Sequence, residues 1–213
     1  MPGDTVVFGT YNDAPIEWRV LKVNEDKSLM LISKYILSMK TYDAAEGGIY
    51  NEYEGINYWL YEHHNVTDEN ILINIRGNND WTKSNIRTWL NSDKELVNYE
   101  DQAPTLKAVG NSYYNTEPGF LYEFTDEEKN AIVPATYEIH VNSFNEKAPD
   151  SNITTTDMVY LLSSDELSLL KEAGISIYAK PSDKCIETDG NDNNYKFFMT
   201  AYNIDDYYWW LRD

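Results

Sequence analysis

The chain has 213 residues and carries 17 Lys and Arg side chains against 36 Asp and Glu, which gives a formal net charge of -19. Nucleic-acid binding depends mainly on clustered basic side chains, so this charge excludes a nucleic-acid-binding protein and also disfavours anionic membrane surfaces. The longest apolar stretch, Ser28 to Leu37, falls short of the roughly 20 residues that cross a bilayer. The sequence therefore predicts a globular protein with one substantial core.

The first 33 residues predict an antiparallel three-stranded meander. The strands are Thr5–Tyr11, Ile16–Val23 and Ser28–Ser33, and they are rich in β-branched and aromatic residues. Turn-forming clusters at Asn12–Pro15 and Asn24–Lys27 separate them.

Three helices follow with recognisable signals. Between Trp81 and Asn91, apolar residues recur at helical spacing behind the candidate caps Thr82 and Ser84. Trp89 shares the apolar face of this helix and is predicted to be a core residue.

Two capping boxes predict the starts of the other two helices. Thr125 to Glu128 opens a short helix that Pro134 stops, and Ser163 to Glu166 opens a helix that Gly174 ends. Between these helices, Met158–Leu162 is predicted to be a buried strand.

The other segments complete an α+β architecture. Residues 42–80 are predicted to form a surface insertion with a short helical piece at 58–63, and residues 196–202 and 207–212 are predicted to form aromatic strands. No internal repeat and no low-complexity linker divides the chain, so we expect residues 1–213 to form a single α+β domain.

Seven blocks of sequence are spread along nearly the whole chain: Gly3–Tyr11, Ile16–Leu21, Leu31–Leu37, Ser84–Asn91, Phe124–Lys129, Thr155–Ser163 and Trp209–Arg212. In this order they resemble the blocks of a bacterial family of unknown function that is met mostly in exported proteins of gut Firmicutes. Members of that family continue after Trp-Leu-Arg through Ser-Pro-Gly and a further Gly-Val-Arg-Pro strand. This chain stops at Asp213, so we expect it to lack the family's C-terminal strands.

The resemblance implies a C-type-lectin-like fold, similar in outline to formylglycine-generating enzymes and to hypervariable phage and bacterial ligand binders. It also implies a secreted or cell-surface location. It implies no activity, because one fold hosts many functions.

Residue types that bind transition metals or act as nucleophiles are few. His63 and His64 are adjacent in a predicted loop, where neighbours rarely converge on one ion, and His140 is the third histidine. Copper-dependent oxidation of the formylglycine-generating type needs paired cysteines, whereas Cys185 is the single cysteine. We therefore predict no catalytic residue and no zinc, copper or nicotinamide cofactor.

A polar loop begins at Asp189 and offers a weak calcium candidate. Asp189, Asn191 and Asp192 supply the oxygen ligands that calcium prefers. The loop departs from the EF-hand pattern at Asn194 and Thr200, and a solvated turn is the alternative interpretation.

The aromatic C-terminal strand supplies the candidate ligand-binding residues. Side chains alternate along a strand, so Tyr208, Trp210 and Arg212 are predicted to share one face, with Leu211 on the core side. Two aromatic platforms beside a cation suit stacking on a sugar ring. The alternative is that a second layer covers this face and that Arg212 pairs with a carboxylate.

These observations favour a non-catalytic extracellular binding module whose ligand is a glycan or a surface protein. One alternative is a structural or spacer domain of a larger surface protein without its own ligand. The other is a glycan hydrolase, because two of the many carboxylates could flank a glycosidic bond.

Overall fold

The computed structural model describes residues 1–45, 52–53, 56–57, 68–100, 102–141, 151–189 and 211–212. The strands in this part are β1 (Thr5–Tyr11), β2 (Ala14–Val23), β3 (Leu29–Ser33), β4 (Glu52–Tyr53), β5 (Ile56–Asn57), β6 (Ala135–Val141) and β7 (Ser151–Asp157). The α-helices are α1 (Glu69–Arg76), α2 (Asn85–Leu90), α3 (Leu106–Val109), α4 (Asp126–Ala131), α5 (Leu167–Glu172) and α6 (Asp183–Thr188), with 3-10 turns at Trp81–Lys83 and Gly110–Ser112. Antiparallel sheets and short helices make this an α+β protein, as the sequence predicted.

The chain packs into two compact units, and each unit is assembled from separate stretches. Unit 1 comprises Met1–Met39, Glu123–Val133 and Leu161–Leu211, and unit 2 comprises Lys40–Tyr122, Pro134–Tyr160 and Arg212–Asp213. Among the helices described, none has both the length and the apolar character that a membrane crossing requires.

Unit 1 contains the predicted meander. Its strands pair antiparallel in the order β1-β2-β3. Asn12 and Asp13 join β1 to β2 with φ values of 53° and 58°, the left-handed conformation that a tight hairpin turn requires and that Asn and Asp tolerate. The core of the unit forms where Leu21 of β2 packs with Leu162 and Leu170.

Both predicted capping boxes form, although they start their helices differently. The Thr125 hydroxyl accepts a hydrogen bond from the Glu128 amide, and the Glu128 carboxylate accepts one from the Thr125 amide. The hydrogen bonds from Thr125 lower the pKa of Glu128. The Glu166 carboxylate accepts a hydrogen bond from the Ser163 amide at 3.0 Å, and the Ser163 hydroxyl accepts one from the Glu166 amide at 3.2 Å. These residues form a turn, and α5 begins only after it, at Leu167.

Helix α2 in unit 2 begins at one of its two predicted caps. The Ser84 hydroxyl accepts a hydrogen bond from the Arg87 amide and forms the N-cap. Thr82 instead donates to Asp80, which caps the preceding 3-10 turn. Trp89 is 2% exposed, so its predicted place in the core is confirmed.

The predicted strand at Met158–Leu162 is wrong, because the strand in this region is the preceding segment, Ser151–Asp157. β7 ends at Asp157, and the residues after it leave the sheet. The Asn91 side chain replaces a neighbouring strand there, because its oxygen accepts hydrogen bonds from the amides of Met158 and Val159 while its amide donates to the Val159 carbonyl. The polar sequence of β7 pairs with β6 in a seven-residue antiparallel register.

Residues near both described ends of the predicted surface insertion 42–80 are buried in unit 2, although Arg76 and Asn79 are exposed. Ile75 of α1 is fully buried, and Asp80 is 5% exposed. The Asp43 carboxylate accepts hydrogen bonds from the amides of Asn78 and Asn85 and so ties the two ends together. The helical piece predicted at 58–63, like the strand predicted at 196–202 and most of that at 207–212, lies outside the described residues.

Candidate functional site

The C-terminal binding face predicted from sequence needs correction at Arg212. The binding interpretation placed its side chain on an exposed face, whereas the alternative placed it under a second layer, and the residue is 4% exposed. The guanidinium lies 4.2 Å from the ring centroid of Tyr137 and 5.2 Å from that of Tyr160, where cation–π attraction is strong because water is excluded. Arg212 is therefore an anchor inside unit 2. Tyr208 and Trp210 lie outside the described residues.

The described part of the calcium candidate binds the chain's own donors. One Asp189 carboxylate oxygen accepts hydrogen bonds from the Ser38 hydroxyl at 2.5 Å and the Met39 amide at 2.7 Å, and the other accepts from the Thr188 hydroxyl at 2.9 Å. This carboxylate fastens the end of α6. Asn191 and Asp192 lie outside the described residues.

The remaining metal-binding and nucleophilic residue types are dispersed. His140 is exposed on β6 beside Asn152, whereas His63 and His64 lie outside the described residues. Cys185 is fully buried in the first turn of α6, where its amide donates to the Ser182 hydroxyl. Within the part of the chain that the structure describes, no group of three or more His, Cys, Asp and Glu side chains is placed to hold a metal.

Asp157, at the end of β7, organises a buried polar network in unit 2. One of its carboxylate oxygens accepts hydrogen bonds from the Tyr137 hydroxyl at 2.5 Å and the Trp81 indole at 3.0 Å. The other accepts from the Arg87 guanidinium at 2.8 Å, and Arg87 also binds Thr155 and the Thr82 carbonyl. Because each partner is engaged by the chain itself, we assign this network to the stability of the unit.

Two buried tyrosines predict that the protein loses stability in alkaline solution. Burial raises the pKa of Tyr114 well above its usual 10.0, and burial together with the hydrogen bond to Asp157 raises the pKa of Tyr137. The unfolded chain loses these protons near pH 10 while the folded chain keeps them, so the stabilising contribution is complete below about pH 10 and declines as the pH rises above it. The urea concentration at the midpoint of unfolding, measured at about pH 8, 9, 10 and 11, should decrease only in the upper part of this pH range. A constant midpoint throughout would contradict the assignment.

Residues 113–122 form a loop that we call the aromatic loop. Three of its side chains, Tyr114, Phe120 and Leu121, are at most 3% exposed and fix the loop in unit 2. Two others point outward, since Tyr113 is 47% and Tyr122 is 44% exposed. The loop therefore presents an aromatic ring at each end of a buried framework.

Backbone hydrogen bonds hold the aromatic loop in one conformation. The amides of Phe120 and Leu121 donate to carbonyls in and after α2, and the Gly119 amide donates to the Lys94 carbonyl. Glycine is required at 119, because a Cβ there would overlap the carbonyl oxygen of Ser92. A loop pinned in this way loses little conformational entropy when it binds a ligand.

An ion pair between a buried lysine and a half-exposed glutamate fixes the centre of the aromatic loop. The Lys40 side chain is 3% exposed, and its ammonium lies 2.5 Å from one carboxylate oxygen of Glu117. The same ammonium lies over the rings of Trp89 and Tyr114, 4.7 and 5.2 Å from their centroids. The pair and its two rings orient the Glu117 carboxylate, whose side chain is 40% exposed.

A third tyrosine borders this pair. The Tyr99 ring meets the Tyr114 ring edge-on at 6.1 Å, and its buried hydroxyl has no hydrogen-bond partner among the described residues. Burial, together with the negative charge of Glu117, raises the pKa of Tyr99. Tyr99 therefore stays a neutral hydroxyl beside the carboxylate at ordinary pH.

Sequence reasoning missed the aromatic loop, although a signal was present. Tyr113 and Tyr114 form a doublet, and Glu117 is followed by the turn residues Pro118 and Gly119. What could not be read from the sequence is which tyrosine of the doublet is buried. The loop offers apolar rings, which can stack on the flat faces of a ligand, and a fixed acceptor, which can bind a hydrogen-bond donor of the same ligand.

The match to a known family covers most of the chain. Residues 26–213 match the family described as Domain of unknown function (DUF6273). The matched region contains the aromatic loop, Lys40 and Asp157, while β1 and β2 precede it. No curated protein and no solved structure matches the chain. The chain therefore belongs to the DUF6273 family of domains of unknown function.

Proposed function

We propose that this protein is a non-catalytic binding module whose ligand is a glycan, and that the aromatic loop is its binding site. The observation that carries the proposal is the contrast within this loop. Tyr114, Phe120 and Leu121 are buried, whereas Tyr113 and Tyr122 stand exposed on the same rigid segment. Exposed rings on a fixed backbone stack on the apolar faces of sugars without first having to be ordered.

The half-exposed carboxylate supports a glycan in preference to an apolar ligand. Glu117 lies between the two exposed tyrosines in sequence, and Lys40 holds its orientation. Sugars combine apolar ring faces with hydroxyl donors, so a loop that exposes both a carboxylate acceptor and aromatic rings matches both features. A secreted or cell-surface location, which the resemblance of the sequence implies, belongs to the same proposal.

The proposal predicts that the two exposed rings carry the affinity. The double variant Tyr113→Ala/Tyr122→Ala should bind its glycan at least about tenfold more weakly, which corresponds to about 1.4 kcal/mol. The measurement is a glycan array on the purified chain, followed by calorimetric titration of the best ligand with each variant. Circular dichroism should show an unchanged fold, because both substituted side chains are exposed.

Tyr178→Ala is the matched control. Tyr178 is 48% exposed but belongs to unit 1, so its replacement removes an exposed tyrosine elsewhere and should leave the affinity unchanged. Equal affinity of the wild-type chain and the double variant would assign the glycan to another surface. The predicted site at Tyr208 and Trp210 would then be tested next. Absence of binding to every glycan on the array would favour the spacer alternative and overturn the proposal.

A further inference from the structure

The two carboxylate oxygens of Glu117 have different roles. One accepts the hydrogen bond from the Lys40 ammonium at 2.5 Å. The other has no hydrogen-bond partner among the described residues, while the side chain as a whole is 40% exposed. One oxygen is thus fixed by the protein and the other is available to a ligand as a preoriented acceptor.

The position of Lys40 determines which charge of the ion pair faces a ligand. The ammonium is almost wholly buried under the Trp89 and Tyr114 rings, so only the carboxylate end of the ion pair reaches the surface. A ligand that approaches the loop meets a negative oxygen and not the positive nitrogen. The chain's net charge of -19 adds to the repulsion of anions.

We propose that Glu117 determines the charge class of the ligand: the site takes sugars that present hydroxyl or ammonium donors and rejects acidic sugars such as uronic acids. The inference rests on the proposed function and adds a specificity-determining residue to it. A carboxylate facing the free oxygen of Glu117 would place two anions in contact with no cation between them, and such like-charge contacts are the usual means by which a binding site rejects the wrong partner.

The test compares oligosaccharides of similar length that differ in charge. Neutral cello- and N-acetylchito-oligosaccharides, amine-bearing glucosamine oligomers and carboxylated galacturonate oligomers are titrated against the wild-type chain. We expect both the amine-bearing and the neutral oligomers to bind at least about tenfold more tightly than galacturonate oligomers. Rising salt should weaken the binding of glucosamine oligomers more than that of the neutral ones.

The variant Glu117→Gln assigns this preference to one residue. Its amide oxygen can still accept the hydrogen bond from Lys40, while its NH2 group puts a donor where the free acceptor was. In this variant the difference in binding affinity between glucosamine and galacturonate oligomers should fall to about threefold or less. The control Glu95→Gln removes the same charge from an exposed residue of unit 2 outside the aromatic loop and should keep the wild-type order.

The outcomes separate the inference from the function on which it rests. If the double tyrosine variant abolishes binding but Glu117→Gln keeps the full charge preference, the inference is wrong and the proposed function stands. Tighter binding of galacturonate than of neutral oligomers by the wild-type chain would also overturn the inference. If the wild-type chain binds none of these oligosaccharides and none on the glycan array, both proposals fail together.

Discussion

Replacement of Trp89 by alanine is expected to lower the free energy of unfolding by about 3–5 kcal/mol. The indole is 2% exposed, and it packs edge-on against Tyr114 at 6.3 Å and Phe120 at 5.5 Å. Truncation would leave a cavity at the centre of unit 2. It would also remove one of the two rings over the Lys40 ammonium and leave the Pro118 carbonyl without its hydrogen bond from the indole.

Urea unfolding followed by circular dichroism measures this loss. Leu96→Ala is the control, because Leu96 is 69% exposed in the same unit and its truncation should change the stability by less than about 0.5 kcal/mol. A midpoint for Trp89→Ala equal to that of the control would contradict the assignment of Trp89 to the core. Since Trp89 also supports the aromatic loop, the variant should bind glycan more weakly even where it is still folded.

The second large effect is expected from Asp157. Replacement by alanine should cost about 3–5 kcal/mol, because it leaves the Arg87 guanidinium without its ionic partner in a largely buried place. The Tyr137 hydroxyl and the Trp81 indole would lose the same acceptor. Each buried donor without a partner costs about 1–3 kcal/mol before the structure relaxes.

Asp157→Asn separates the role of the charge from that of the acceptor. Asparagine keeps one acceptor oxygen at nearly the same volume but loses the charge that attracts Arg87, so its destabilisation should be smaller than that of alanine. Thermal unfolding monitored by tryptophan fluorescence suits this comparison, because Trp81 is fully buried in the network. If both variants melt at the wild-type temperature, the network does not hold the β6–β7 hairpin to the rest of unit 2.

The sequence predicted the elements whose signals are local. The β1–β2 hairpin follows from Asn12 and Asp13, which accept the left-handed backbone of a two-residue turn. The Thr125 capping box closes within one helical turn, and the burial of Trp89 follows from its position on the apolar face of α2. Each of these signals depends on residues no more than a few positions apart, so the intervening chain does not have to be known.

The structure corrects the binding-site prediction at Arg212, which is 4% exposed. Arg212 was expected to face solvent, because side chains alternate between the two faces of a strand and only the face of Leu211 was expected to pack on the core. The structure instead buries it between Tyr137 and Tyr160, which come from β6 and from the segment after β7. Nothing in the residues around Arg212 indicates these two partners.

What the sequence by itself determined is the charge, the α+β class, the meander, the capped helix starts and the apolar face of α2. Only the tertiary structure decided which charged groups are buried and which tyrosines are exposed. Lys40 and Glu117 are 77 positions apart, and Arg87 and Asp157 are 70 apart. The physical reason is that a hydrogen bond or an ion pair is specific only at contact distance, and contact between such distant residues exists only after the chain has packed.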